Sequence, residues 1–145
     1  MTAKHVYCAI TDVMRAMSST GIAKSRNNAA QGFKFRGIDD VLNALSRELV
    51  NAGLCILPRV ISRQVAERTN AKGTALFYVT LEVEYDLISA KDGSTHTVRT
   101  VGEAMDSGDK ATNKAMSAAY KYMAIQTFAI PTEGDNDADA TTHEV

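Results

Sequence analysis

Phe77-Tyr78-Val79-Thr80-Leu81-Glu82-Val83-Glu84-Tyr85-Asp86-Leu87 alternates apolar and polar residues without a break. A strand points successive side chains to opposite faces, so this spacing predicts a half-buried strand. Phe77, Val79, Leu81, Val83, Tyr85 and Leu87 form the inward row, and Tyr78, Thr80, Glu82, Glu84 and Asp86 the outward one. Beyond it, Asp92-Gly93 is a hairpin signal, and residues 95–104 read as the next strand. Before it, residues 54–68 read as a strand whose Pro58 lacks a backbone donor, which places it at a sheet edge or a bulge. Residues 102–109 read as a loop.

Helical periodicity brackets these strands. Val6, Ile10, Val13, Met14 and Met17 predict an amphipathic helix over residues 4–18. Residues 18–31, rich in small residues, Asn and Gly, read as a loop. Val41, Leu42, Leu45 and Leu49 predict a helix over residues 39–52, with Asp39 as N-cap and Gly53 as the stop. A last helix over residues 110–128 ends before Pro131. The order α-α-β-β-β-α is that of an α+β domain, an antiparallel three-stranded meander packed with helices. Residues 1–130 form the domain, and residues 131–145 an acidic, flexible tail.

With 145 residues, 45% of them apolar and 23% charged, the chain suits one globular core. The formal charge of −1 hides an asymmetry. Five of the 17 acids lie beyond residue 130, so the first 130 residues oppose 16 basic groups to 12 acidic ones, a net of +4. A basic body with an acidic tail fits a nucleic-acid binder, as it fits many other proteins. Nothing resembles a signal peptide or a membrane span, so a cytoplasmic location is expected. Cys8 and Cys55 sit in apolar stretches without metal-ligand spacing and read as reduced core residues.

Enzyme motifs are absent. Gly108-Asp109-Lys110 is not a phosphate loop, and His5, His96 and His143 have no nucleophile pattern beside them. The row Glu82, Glu84, Asp86 is the best candidate for catalysis, since carboxylates about 7 Å apart on one strand face can hold magnesium for phosphodiester cleavage. Cross-strand ion pairs explain the same row. A first hairpin centred on Ala71-Lys72 sets Arg59 opposite Glu84, and a second centred on Asp92-Gly93 sets Arg99 opposite Asp86. The spacing of Asp135, Asp137 and Asp139 imitates a calcium loop, but Ala140 stands where that loop needs glycine.

Two features favour nucleic acid. In Phe33-Lys34-Phe35-Arg36, an extended chain points the aromatics one way and the cations the other. The phenylalanines then either anchor in the core or stack on bases. In the last helix, Lys110, Lys114, Ser117 and Lys121 form one cationic stripe, with Asn113 beside it. No acid lies between Lys110 and Phe128, so the stripe lacks the usual Glu–Lys pairing along a helix. The helix is also rich in alanine (Ala111, Ala115, Ala118, Ala119, Ala124), which permits close approach of another element.

The run from Gly108 to Tyr122, with Gln126-Thr127-Phe128 and Ile130-Pro131, closely resembles the Erf (essential recombination function) family of phage proteins. The block Phe33-Lys34-Phe35-Arg36-Gly37-Ile38-Asp39-Asp40-Val41, with Gly53-Leu54 and Leu57-Pro58-Arg59, resembles the same family's opening. The likeness covers residues 5–140. It implies ATP-independent annealing of single-stranded DNA by a homo-oligomeric ring or filament, with no cofactor. It also implies a β-β-β-α core similar to that of ring-forming single-strand annealing proteins. By this likeness Lys114 and Lys121 match recurring basic positions, Lys34 and Arg36 match the opening block, and Lys110 and Asn113 fall in the same motif; Phe33 and Phe35 stay as base-stacking candidates. A phage exonuclease or a host single-strand-binding protein is the further partner implied. The competing expectations are a magnesium-dependent nuclease using Glu82, Glu84 and Asp86, and a module whose acidic tail recruits a protein.

Overall fold

The computed structural model describes residues 3–31 and 38–131. The elements run α1 (His5–Gln31), α2 (Ile38–Ala52), β1 (Leu54–Thr69), β2 (Ala75–Ser89), β3 (Thr95–Asp106) and α3 (Ala111–Thr127). The three strands form one antiparallel sheet in the order β1-β2-β3. This is the expected α-α-β-β-β-α meander. The alternating stretch became the central strand because only there is one face fully covered. Val79, Leu81, Val83, Tyr85 and Leu87 are all buried, against Val6, Val13 and Met17 of α1, Val41 and Leu45 of α2, and Ala115, Ala119 and Met123 of α3. The sheet's other face carries polar and charged residues, as an antiparallel sheet packed on one side should.

Four expectations are corrected. Residues 18–31 are helical, not a loop: α1 continues to Gln31. Gly21 costs a helix interior only about 1 kcal/mol, and the segment holds no proline to stop it. The helix α2 starts at Ile38, so Asp39 lies in its first turn beside Asp40, where a carboxylate meets the positive end of the helix dipole. Gly53 does end it, with φ +66. Residues 102–106 belong to β3 rather than to a loop. Cys8 and Cys55 are free but exposed, not core. Cys8 falls off the Val6, Ala9, Val13 stripe of α1, and Cys55 points away from the core that its neighbour Leu54 enters.

Register carries the most consequential difference. In the first hairpin Asn70 Oδ1 accepts from the N–H groups of Lys72 and Thr74, each at 2.9 Å, and Gly73 takes φ +81. The pairs Thr69↔Ala75 to Ser62↔Glu82 centre this turn on Lys72, half a residue beyond the expected centre. A bulge between Val60 and Ser62 then shifts the register by one, which restores the expected pair Arg59↔Glu84. The second hairpin is wider than a two-residue turn. Ser89 N–H donates to Ser94 C=O (2.9 Å), Gly93 N–H donates to Ser89 C=O (2.8 Å), and Gly93 takes φ +72. Arg99 therefore lies opposite Glu84, and Thr97 opposite Asp86, instead of the expected Arg99 with Asp86.

That same turn caps α1 from a distance. Asp92 Oδ2 accepts from His5 N–H at 3.1 Å and Ser94 Oγ accepts from Val6 N–H at 2.9 Å, two of the orphan donors at the helix start. Hydrogen bonds from Ser94 and from the His5 backbone hold the Asp92 carboxyl far below the usual range.

Candidate nucleic-acid interface

The geometry of α3 follows from its alanines. Ala111, Ala115, Ala119 and Met123 recur every fourth residue and are buried. Opposite them in β3 stands Gly102, where a Cβ would press on Ala115 O and lie 2.7 Å from Ala119 N. Thr100 Oγ1 donates to Ala119 O at 3.1 Å and fixes the same contact. The helix thus rests its backbone on β3, and the opposite face of α3 points into solvent.

Lys110, Asn113, Lys114 and Ser117 lie exposed on that outward face, and Lys121 is half-buried at its far end. The cationic stripe expected from spacing is therefore assembled. Its freedom from acids is not complete. Asp106, at the end of β3, accepts from Lys114 Nζ at 2.7 Å through Oδ1, while its Oδ2 accepts from the N–H groups of Gly108 (2.9 Å) and Lys110 (3.4 Å). The Lys114 ammonium, then the Gly108 N–H, keep the Asp106 carboxyl below its ordinary range. The partner comes from another element, beyond the reach of any periodicity within the helix. The Lys114 side chain remains 53% exposed, so the pair is a surface one that a phosphate can displace. Lys121 lies 5.6 Å from the ring of Tyr122. It borders a hollow of about 490 Å³ that Leu42 of α2 and Met116 and Tyr120 of α3 also line.

Sequence reasoning missed Arg63. A turn centred on Ala71-Lys72 would pair it with Thr80, facing outward with the acidic row. The turn centred on Lys72 pairs it with Leu81, on the face that carries the helices, and the bulge returns Arg59 to the outer face. There Arg63 Nε donates to Thr112 Oγ1 at 3.0 Å, beside the first turn of α3. Arg63, Gly108, Asp109 and Thr112 line a shallow hollow of about 150 Å³ at this point, next to Lys110. Arg63 therefore places a further cation beside the start of α3, on its β1 side and across the helix from the lysine stripe.

Phe33, Lys34, Phe35 and Arg36 lie outside the described residues, as does the tail from Thr132. The carboxylate row is fully described, and arginines engage it. Arg99 Nη1 meets Glu82 at 2.9 Å and its Nη2 meets Glu84 at 2.6 Å. Arg59 Nη2 meets Glu84 at 2.9 Å and its Nη1 meets Asp86 at 3.0 Å. Thr97 Oγ1 donates to Asp86 at 2.7 Å. Hydrogen bonds from Arg99 and then Arg59 lower the pKa of Glu84, and those from Arg59 and then Thr97 lower that of Asp86. The row is a ladder in which two arginines bridge three carboxylates, Asp86 and Glu84 through Arg59 and Glu84 and Glu82 through Arg99, and not a cluster of carboxylates turned toward one point. Among the described residues no group of three or more His, Cys, Asp or Glu side chains is placed to hold a metal ion. None of their helices is long and apolar enough to cross a membrane.

A protein-family model described as the ERF superfamily matches residues 6–144. No curated protein matches the chain. A solved structure, that of the intermembrane space region of the chloroplast protein ARC6, is 17% identical to it, covering 74% of this chain and 90% of that one. The TM-score of 0.28 is too low for that likeness to bear on fold or function.

Proposed function

Because the chain belongs to the ERF superfamily, we propose that it binds single-stranded DNA and anneals complementary strands for recombination, without nucleotide hydrolysis and as a homo-oligomer. The observation that carries this reading is the outward face of α3, where Lys110, Lys114 and Lys121 stand in one row with Asn113 among them. Arg63 adds a separate cation on the β1 side of the same helix start, bonded to Thr112. Lysines at this spacing act as flexible point charges along a phosphate backbone. Contacts made to phosphates leave base edges free for a second strand to test. Pairing then supplies the driving force, because stacking contributes about 1.4 kcal/mol per base-pair step. Neighbouring subunits continue the groove, so modest affinity per subunit becomes firm binding through avidity. Lys34 and Arg36 add phosphate contacts, and Phe33 and Phe35 offer stacking surfaces. A phage exonuclease or a host single-strand-binding protein is the partner that supplies or protects the strands, inside the host cytoplasm.

The test is an annealing assay with complementary labelled oligonucleotides, free of nucleotide and with magnesium either present or chelated. Annealing at the same rate in both conditions, faster than the strands alone, is expected. Magnesium-dependent cleavage, or no acceleration at all, would overturn the reading.

A further inference from the structure

Both outer edges of the sheet are open among the described residues: β1 and β3 each pair with β2 alone. Unpaired edges of 16 and 12 residues present rows of N–H and C=O groups ready for another strand. Each edge also holds large apolar side chains in water. Val60 and Val65 of β1 are 48% and 46% exposed, and Val101 and Met105 of β3 are 51% and 46% exposed.

The two edges differ in a way that decides how copies can join. The backbone of α3 rests on β3 at Gly102. Paired strands lie about 4.8 Å apart, whereas packed helices need about 8–10 Å between axes. Pairing β3 with the β3 of a second copy would drive each α3 into the other. No helix rests on β1 in that way: Pro58 and Val60 line an open hollow of about 300 Å³ between β1 and α3. A β1 strand can therefore slide beside β3, beneath the flank of α3.

Charge selects the same pairing. Beyond the bulge the β1 strand carries Arg63 and Arg68 against Glu67, while Arg59 is already held by Glu84 and Asp86, so two β1 edges repel. The β3 strand carries Glu103 and Asp106 against Arg99, and Arg99 is already held by Glu82 and Glu84. Arg68 and Glu103 both point to the outer face, opposite Leu76 and Thr80 respectively, and neither has an ion-pair partner among the described residues. Because both edge strands run antiparallel to β2, they run in the same direction, and a second copy in the same orientation continues the sheet with β3 beside β1. Pro58 and the bulge after Val60 spoil the first part of β1 for pairing, which leaves the regular segment from Ser62 to Thr69.

We propose that the β3 edge of one copy pairs with residues 62–69 of β1 in a second copy, with Glu103 beside Arg68. The contact is head-to-tail, so it does not close on itself at two copies and propagates into a ring or filament. The proposal rests on the preceding reading only for the expectation that the protein assembles.

Two variants test it. Val101→Lys with Glu103→Lys blocks the β3 edge, and Val65→Lys with Ala66→Lys blocks the β1 edge; circular dichroism and melting confirm that each is folded. By sedimentation, the unaltered protein is expected to run as an assembly larger than a dimer, and each variant as a monomer near 15.6 kDa. An equimolar mixture retains one intact junction, so it forms a pair of twice that mass and stops. Arg68→Glu, a surface change, replaces the second variant should that one unfold, and is expected to break up the assembly of the unaltered chain. A monomeric unaltered protein, a mixture that does not associate, or a variant that still forms large assemblies by itself would overturn the proposal. Binding of single-stranded DNA is measured separately: intact assembly without DNA binding would remove the preceding reading and leave this one standing.

Discussion

Gly102 of β3 lies so close beneath Ala115 and Ala119 of α3 that hydrogen is the largest substituent the contact admits. Everything proposed for the cationic stripe depends on this contact, because it sets which face of α3 is buried and which is free. Gly102→Ala places a Cβ 2.7 Å from Ala119 N and 2.8 Å from Ala119 Cβ, both in backbone-anchored positions. Overpacking of this kind costs about 1–3 kcal/mol. Urea denaturation should show the loss as a lower midpoint with an unchanged slope. An unshifted midpoint would mean that α3 does not sit this close to β3.

Charge removal on α3 tests the interface. Lys114→Ala with Lys121→Ala should weaken binding of single-stranded DNA at every sequence. If each lysine neutralises one phosphate, the slope of log K against log salt should flatten by about 1.4. Equal slopes for variant and parent at several salt concentrations would eliminate these two lysines as phosphate contacts.

The Asp106–Lys114 pair gives a variant of opposite sign. Asp106→Asn keeps an oxygen for the Gly108 N–H but removes the charge that competes with phosphate for Lys114. Tighter binding at low salt is expected, with the gain fading as salt rises. Weaker binding would show that Asp106 serves the interface by holding Lys114 in place.

Arg63→Ala probes the cation that spacing did not reveal. Its guanidinium is at the surface and bonded to a neutral hydroxyl, so melting should change little while DNA binding falls and its salt slope flattens. Filter binding beside a thermal melt separates the two effects. A lowered melting temperature with full DNA affinity would make Arg63 a purely structural link between β1 and α3.

The arginine–carboxylate ladder predicts acid behaviour. The pKa values of Glu84 and Asp86 are lowered in the folded state from 4.5 and 3.8. Between the folded and unfolded values the unfolded chain binds more protons, so the ladder's contribution is complete above about pH 4.5 and is lost as pH falls through the lowered values. Arg59→Ala removes partners of both carboxylates. The stability difference between parent and variant should therefore shrink on acidification below that pH and stay constant above it. A difference that widens in acid would contradict the ladder. High salt should reduce it at neutral pH, since the pairs are exposed.

Local pattern was enough to establish the element order, the identity of the central strand, its buried row and the lysine spacing on α3. Each depends on a periodicity that the nearest few residues enforce. The same limit explains the misses. Asp106 reaches Lys114 from another element, Asp92 and Ser94 cap a helix that starts some ninety residues earlier in the chain, and the outer hairpin's width moved Arg99 from Asp86 to Glu84. Periodicity within one element does not register a partner that stands on another, whether 8 residues away, as Asp106 is from Lys114, or 87, as Asp92 is from His5.

The bulge between Val60 and Ser62 shows the division most directly. The sequence by itself determined that residues 54–68 form a strand; the expected pairing of Arg59 with Glu84 holds only because the bulge offsets the displaced turn. Only the tertiary structure decided that Arg63 stands with the helices and not with the acidic row. One extra residue in a strand of period two exchanges its faces from that point on, and the place of that residue is set by pairing with β2 rather than by β1 alone.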